Sequence, residues 1–130
     1  MQLAKAWFTD LTLATVEQFR VLALNARKQV VALETVSKGT LTQTLVHPRE
    51  VFRFAIQHNA AAVLVGHNHP SGDPSPSAED VVLTRRLREA GSLLGIELVD
   101  HVIVATGGYR SLSSAKANGS DLTGSQLFAS

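Results

Sequence analysis

One run of seven apolar residues constrains the fold of this chain more than any other feature. The run, Ala60–Gly66, has the length of a β-strand and carries no polar side chain, which is typical of a strand buried on both faces of a sheet. It leads into 67–76, a segment that holds three of the four prolines of the chain and is therefore predicted to be a loop. The sequence thus predicts a sheet that is covered on both faces, with a loop beyond one strand end.

Helical patterns lie on both sides of this strand. Pro48 suits the first turn of a helix whose apolar residues recur at helical spacing up to Gln57. Ser77 is predicted to cap a second helix, with carboxylates in its first turn. Extended patterns are predicted at 20–25, 29–38, 41–46, 96–105 and 109–112. The alternation of these elements predicts an α/β sandwich with a mixed sheet.

The length of 130 residues predicts one domain rather than two. We expect an N-terminal arm at 1–14, the folded domain at 15–113 and a Ser-rich tail at 114–130. Thr15–Phe19 has the pattern of a helical turn, because Thr15 can cap it and a Gln follows three residues later.

The charge balance and the absence of cysteine exclude several classes of function. Lys and Arg number 12 against 11 Asp and Glu, which argues against a strongly basic nucleic-acid-binding protein as a whole-chain property. Without cysteine there is no disulfide, cysteine nucleophile or thiolate metal site. No apolar run reaches the length of a membrane span, and no secretory signal is visible at the N-terminus. We therefore expect a cytoplasmic protein without a membrane partner.

The strongest chemical signal is a pair of histidines at the predicted strand end. His67 and His69 are two positions apart, and side chains at that spacing point the same way in an extended segment. Asp80 follows in the first turn of the next helix, and the loop between them can fold back to bring it near. Two imidazoles and one carboxylate leave one tetrahedral position open, as catalytic zinc sites do. Zn²⁺ is the expected metal, with Mn²⁺ and Fe²⁺ left open.

The full string His67-x-His69-Pro70, followed by Ser77 and Asp80, resembles the JAMM (MPN+) metalloprotease pattern H-[ST]-H-P-x6-S-x2-D. Asn68 stands where that pattern has Ser or Thr. The complete text of the loop resembles the bacterial RadC branch. The flanking segments Val46–Val51 and Val99–Val104 are also similar to that branch, so the resemblance covers roughly residues 15–113.

The resemblance implies a cytidine-deaminase-like three-layer α/β sandwich, the fold of JAB/MPN domains. By match to the family pattern, His67, His69 and Asp80 are the zinc ligands, with one Zn²⁺ per chain. A Glu upstream is implied as the general base, and Glu34 is the candidate because it is the only acidic residue between Glu17 and Glu50. Without the motif, a Glu at that position most often points to solvent.

Ser77 is implied as the group that hydrogen-bonds the oxyanion of the reaction. Its other role is the helix cap, and the two roles are compatible, since a cap uses a lone pair of the hydroxyl and not its proton. Zinc deaminases share the expected fold, but they need Cys ligands that this chain lacks.

The leading interpretation is a zinc-dependent hydrolase that cleaves a peptide or isopeptide bond in a protein or peptide substrate. Two alternatives stay open. One is a DNA-repair-associated binding role, since RadC-like proteins carry a DNA-repair label. In this chain, such a role would use the small basic cluster Arg85, Arg86 and Arg88. The other alternative is a metal that only holds the loop against the sheet.

Overall fold

A computed structural model of the chain describes residues 2–39 and 46–113. An N-terminal helix, α1 (Gln2–Phe8), continues directly into a 3-10 helix (Thr9–Leu13). The remaining elements, in chain order, are β1 (Gln18–Leu24), β2 (Val30–Lys38), α2 (Pro48–Gln57), β3 (Ala62–Asn68), α3 (Ala78–Leu94), β4 (Glu97–Ala105) and β5 (Gly108–Ser111).

The strands form one mixed sheet in the order β2-β1-β3-β4-β5. Strand β1 runs antiparallel to both β2 and β3, whereas β3 and β4 are parallel and are joined by α3. Strand β3 lies at the centre, and every one of its residues is buried. The prediction of a strand buried on both faces is therefore confirmed. Strand β3 continues two residues beyond the apolar run, so that His67 lies within the strand and Asn68 ends it.

Helices cover both faces of the sheet, which gives the three layers of a sandwich and confirms the predicted fold class. Helices α2 and α3 pack on one face around Phe52 and Leu87. On the other face, Phe8 and Leu11 bury their side chains against β1, β3 and β4. The first residues of the chain thus form two short helices that complete the hydrophobic core on this face of the sheet. A Cβ atom on Gly66 would lie 2.6 Å from the Phe8 ring, so the glycine permits this close packing.

The segment Thr15–Phe19 differs from its predicted helical turn. Two bends precede β1, and Phe19 already pairs with Ser37 of β2 and His67 of β3. Sheet pairing on both sides outweighs the weak local preference for a cap. The predicted tail, 114–130, lies outside the described residues, as does the extended piece at 41–46 apart from Val46.

Among the described residues, no helix combines the length and the apolar character that a membrane span requires.

Candidate metal centre

Three predicted site residues converge where β3 ends and α3 begins. His67 Nε2 lies 3.1 Å from His69 Nε2 and 3.2 Å from Asp80 Oδ1. His69 Nε2 lies 3.1 Å from Asp80 Oδ2. The His67 side chain is 2% exposed and that of Asp80 is 11% exposed. The structure therefore brings His67, His69 and Asp80 together in one partly buried cluster.

A capping box at the start of α3 orients the Asp80 carboxylate. Ser77 is the cap residue, and its Oγ accepts a hydrogen bond from the Asp80 N–H at 3.0 Å. In return, Asp80 Oδ2 accepts from the Ser77 N–H at 2.9 Å. This reciprocal arrangement turns the carboxylate back over the helix N-terminus. The helix cap thus places the carboxylate beside the histidines.

Backbone hydrogen bonds hold the loop between β3 and α3 against the β4–β5 turn. The His69 N–H donates to the Val104 carbonyl at 3.0 Å, which continues the parallel pairing beyond the end of β3. The Gly107 N–H donates to the Gly72 carbonyl at 2.9 Å. Any Cβ atom on Gly107 would lie 2.6 Å from that carbonyl oxygen. The close approach of the two segments therefore requires a glycine at this position.

The hydrogen bonds of His69 determine which ring nitrogen faces the cluster. Its Nδ1 lies 3.0 Å from the carbonyl oxygen of Asp73. A carbonyl oxygen can only accept, so Nδ1 carries the proton. In neutral His69, the lone pair is therefore on Nε2 and points at His67 and Asp80. This is the tautomer that a metal ligand needs.

A buried hydrogen-bonded chain orients His67 in the same way. The Thr84 hydroxyl donates to the Asp80 carbonyl oxygen at 2.8 Å, so it accepts from His101 Nδ1 at 2.6 Å. Burial, reinforced by the neighbouring His67, lowers the pKa of His101 to about 3, so that ring carries one proton, on Nδ1. His101 Nε2 then accepts from His67 Nδ1 at 2.8 Å. This series of hydrogen bonds leaves the lone pair of His67 on Nε2, facing the cluster.

The Phe19 ring shields both buried histidines. It stacks on His67 at a centroid distance of 5.8 Å and meets His101 edge-on at 5.6 Å. The ring is 1% exposed and provides an apolar surface on this side of the imidazoles. The imidazoles are therefore held both by hydrogen bonds and by packing.

The electrostatics of the cluster follow from this convergence of acceptors. Burial acts to raise the pKa of the Asp80 carboxyl, but the imidazoles of His67 and His69 beside its oxygens outweigh burial and lower the pKa well below its usual range. The hydrogen bond to Asp80 raises the pKa of His69, with desolvation acting in the opposite direction. Without a metal, a proton on His69 Nε2 bridges to the carboxylate. With that proton removed, only lone pairs converge, and a cation fits between them.

A fourth group, Glu17, lies at the edge of this cluster. Its Oε2 is 3.6 Å from His67 Nε2, and its side chain is 18% exposed. Glu17, His67 and His69 each offer a ligand atom, and these atoms lie within 4.8 Å of one another. They form a possible metal-binding triad. The histidine pair is thus shared by two carboxylates, of which Asp80 is the nearer.

The structure places Glu17, rather than Glu34, beside the histidines. Glu34 is in β2 and pairs with Val21 of β1, and β1 lies between β2 and β3. Glu34 therefore lies two strand spacings, or about 10 Å, from β3. Within the described residues, no hydrogen bond or ion pair joins Glu34 to His67. The physical reason is register, because β1 is antiparallel to β3 and its first residues therefore lie where β3 ends.

Sequence reasoning overlooked Glu17, although its position carried a usable signal. Glu17 immediately precedes an apolar strand, and a neighbouring antiparallel strand begins where its partner ends. Interpreting Thr15–Phe19 as a helical turn concealed that relation. Thr84 lies inside α3 and carries no comparable sequence signal, although its hydroxyl reaches His101.

The remaining predicted residue, Ser77, keeps its hydroxyl proton available. Its oxygen accepts the cap hydrogen bond, and among the described residues no acceptor binds its O–H. Ser77 is exposed and adjoins the Asp80 carboxylate. Ser77 can therefore cap the helix with its oxygen and still donate a hydrogen bond from its O–H.

Comparison with known proteins identifies the family. A family model described as a RadC-like JAB domain matches residues 1–118. The chain belongs to this family. The resemblance predicted from the histidine motif is thereby confirmed, and the sandwich described above is compatible with the JAB/MPN fold.

Several curated relatives of this RadC-like JAB domain are highly similar. A UPF0758 protein of Symbiobacterium thermophilum is 59% identical over 97 residues, which cover 75% of this chain and 42% of the relative. A UPF0758 protein of Desulforamulus reducens is 53% identical over 98 residues, covering 75% and 43%. One from Moorella thermoacetica is 53% identical over 96 residues, covering 74% and 42%. The matched segment thus spans less than half the length of each relative.

The basic residues predicted for DNA contact differ in exposure and in pairing on α3 of this RadC-like JAB domain. Arg85 pairs with Glu89 at 3.7 Å, and both side chains are largely exposed. Arg86 is exposed, whereas Arg88 is half-buried and burial lowers its pKa. One of the three arginines is therefore paired with an acidic neighbour, and another is partly withdrawn from solvent.

Removing the Thr84 hydroxyl is expected to weaken metal binding. Thr84→Val leaves His101 Nδ1 without its acceptor, so the tautomers of His101 and His67 are no longer fixed. Substitutions of groups that orient ligands typically reduce metal affinity by about 10- to 100-fold. Isothermal titration calorimetry with Zn²⁺ measures the loss, and Thr84→Ser, which restores the hydroxyl, should recover the affinity. Equal affinity for all three proteins would contradict the assignment.

Proposed function

We propose that this RadC-like JAB domain is a zinc-dependent hydrolase that cleaves peptide or isopeptide bonds in a protein or peptide substrate. The observation that supports this most directly is the convergence of His67 Nε2, His69 Nε2 and the Asp80 carboxylate, within 3.1–3.2 Å of one another. Each histidine has its Nδ1 engaged elsewhere. The tautomers therefore favour a metal rather than a simple hydrogen-bonded network.

The donor set fits zinc. Two neutral imidazoles and one carboxylate are ligands that Zn²⁺ accepts, and three protein ligands are the usual number in catalytic sites. His67, His69 and Asp80 would hold the ion, leaving Glu17 next to the open position. When bound, zinc supplies Lewis acidity that makes water nucleophilic near neutral pH. We expect one ion per chain, because a single such cluster is found among the described residues.

Glu17 is the general base in this proposal. Its carboxylate lies 3.6 Å from His67 Nε2, whereas the Asp80 carboxylate lies 3.2 Å from the same atom. The partial exposure of Glu17 leaves room for water beside it. A carboxylate in this position can take a proton from the attacking water and deliver it to the leaving nitrogen. The role expected for Glu34 thus passes to Glu17.

Ser77 is the proposed hydrogen-bond donor to the oxyanion. Its O–H is unengaged among the described residues, and its backbone is fixed by the capping box. A donor held rigidly in place stabilises developing negative charge without reorganisation.

The proposed activity is tested with a panel of fluorogenic peptide amides together with a lysine ε-linked isopeptide. The protein stripped with chelator should be inactive, and one equivalent of Zn²⁺ should restore cleavage of at least one class. Mass spectrometry of the products identifies the bond. If none of these amides is cleaved by the zinc-loaded protein, the proposed activity is wrong even where zinc binds.

The pH dependence of metal binding provides a further prediction. Because the hydrogen bond to Asp80 raises the pKa of His69 above its ordinary value of 6.5, the proton on Nε2 competes with zinc for the same lone pair. Affinity should therefore fall as the pH falls through that raised pKa and level off above it. With one competing proton, Kd changes about tenfold per pH unit below the pKa.

Calorimetry in buffers of different ionisation enthalpy counts the protons released. At pH 6.0 about one proton per zinc should leave His69, and at higher pH the number should fall towards zero. His47→Ala provides the control, since His47 is an exposed residue that starts α2 and makes no side-chain cap bond. Binding without proton release at pH 6.0 would show that His69 Nε2 is not a ligand.

A further inference from the structure

The residue between the two histidines, Asn68, bonds to the backbone on both sides of Glu17. Asn68 is the last residue of β3, and it is 1% exposed. Its Oδ1 accepts from the Gln18 N–H at 2.7 Å, and its Nδ2 donates to the Val16 carbonyl at 3.0 Å. The two backbone partners stand on either side of Glu17. One side chain therefore bridges the residues that flank the carboxylate.

The orientation of this amide is unambiguous. A backbone N–H can only donate and a backbone carbonyl can only accept, so Oδ1 must face Gln18 and Nδ2 must face Val16. The paired residues of β1 and β3 end at Phe19 and His67. The Asn68 side chain thus extends the bonding between the two strands by one further residue, into the segment that carries Glu17.

The chemistry of the side chain explains why an amide suits this position. An amide places an acceptor and a donor on two separate atoms, whereas the Ser or Thr of the general motif carries both on one oxygen. A second backbone contact, from the Gly39 N–H to the Glu17 carbonyl at 2.8 Å, comes from beyond the end of β2. In the described part of the chain, the Asn68 side chain hydrogen-bonds the backbone on both sides of Glu17 to the strand that carries His67.

We propose that Asn68 is a positioning residue that sets Glu17 against the histidine pair by clamping the backbone on both sides of it. The inference rests on the proposed function, in which Glu17 is the base. Substituting Asn68 should displace Glu17 while His67, His69 and Asp80 still bind metal, because those ligands are oriented by other groups.

The position of Glu17 can be followed by NMR in cobalt-loaded protein. Cobalt-induced shifts of the Gln18 and Gly39 amides, taken relative to the zinc-loaded protein, report where the Glu17 segment lies relative to the metal. Asn68→Leu removes both contacts, and Asn68→Ser is the second variant in case the leucine prevents folding. We expect about one cobalt per chain, altered shifts at Gln18 and Gly39, and an unaltered shift at the Asp80 amide.

Asn25 offers a matched control at the other end of β1. Its Oδ1 accepts from the Arg27 and Gln29 amides at 2.9 and 3.0 Å, so it also fastens backbone through a side-chain amide. Asn25→Ser should leave the shifts at Gln18, Gly39 and Asp80 unchanged. This comparison separates a general loss of stability from displacement of Glu17.

A double-mutant cycle tests whether Asn68 acts through Glu17. On a peptide amide that the wild type cleaves, Asn68→Leu should lower turnover by about 10- to 100-fold, which is typical of misplacing a reacting group by about 1 Å. Introduced into Glu17→Gln, the same substitution should cause no further loss.

The outcomes separate this inference from the proposed function. Unchanged shifts at Gln18 and Gly39 in the Asn68 variants, or equal losses of turnover in both backgrounds, would overturn the inference and leave the hydrolase standing. An equally large change at Asp80 would also overturn it, since Asn68 would then hold the whole site. A wild type without cobalt-induced shifts would overturn the proposed metal centre, and this inference with it.

Discussion

Replacing His69 with alanine is expected to lower the affinity for Zn²⁺ by about 100-fold or more. Losing a direct ligand should cost at least as much as losing a group that only orients one, for which about 10- to 100-fold is typical. His69 Nε2 lies 3.1 Å from both His67 Nε2 and Asp80 Oδ2, so its removal opens the cluster on one side. Metal content by inductively coupled plasma mass spectrometry, with affinity by calorimetry, provides the measurement.

The wild type should hold about one zinc per chain and His69→Ala close to none after dialysis. His58→Ala serves as the control, because His58 ends α2 and its ring packs on Phe54 away from the cluster. A wild type that binds much less than one zinc per chain, or an unaffected His69→Ala protein, would show that the motif does not form a metal site.

Substituting Glu17 with glutamine is expected to remove turnover and leave the metal in place. The amide keeps the size of the side chain but cannot accept a proton, and general-base catalysis typically contributes about 10²- to 10⁴-fold to the rate. Asp80 and the two histidines remain, so zinc content should stay near one per chain. Cleavage of the peptide amides and metal content are measured on the same preparation.

Glu34→Gln is the matched control, since it makes the same chemical change one strand further from β3. Its turnover should stay close to that of the wild type. If Glu34→Gln loses activity and Glu17→Gln keeps it, the sequence-based assignment is right and the register argument fails. If neither protein nor the wild type has any turnover, while zinc stabilises all three, the metal that only holds the loop becomes the better interpretation.

Several features of the fold were predictable because they depend on local pattern and burial. The run that became β3 has no polar residue to face water, so only a central strand could accommodate it. Pro48 begins α2 and Ser77 caps α3 because these residue types satisfy helix ends. By contrast, the helices before Leu13 were not recognised. Their burial depends on the apolar face of a sheet that forms far away in the sequence.

The histidine motif was also predictable, for a different reason. His67, His69 and Asp80 are joined by a short loop and by one helix cap, so their convergence needs little of the remaining fold. The groups that orient and complete the site come from distant segments. His101 lies 34 residues beyond His67, and Asn68 bonds to residues 50 and 52 positions earlier.

The sequence by itself therefore predicted the convergence of His67, His69 and Asp80, the absence of thiolate chemistry, the sandwich architecture and the family resemblance. Only the tertiary structure decided which glutamate meets the histidines. From sequence, Glu34 was the better candidate because it is the only acidic residue between Glu17 and Glu50, whereas Glu17 lies in a segment with the pattern of a helical turn. The antiparallel register of β1 against β3 brings residue 17 to the end of β3 and leaves residue 34 two strand spacings away. Register is fixed by long-range pairing and the burial of one face, and that information is not local to either glutamate.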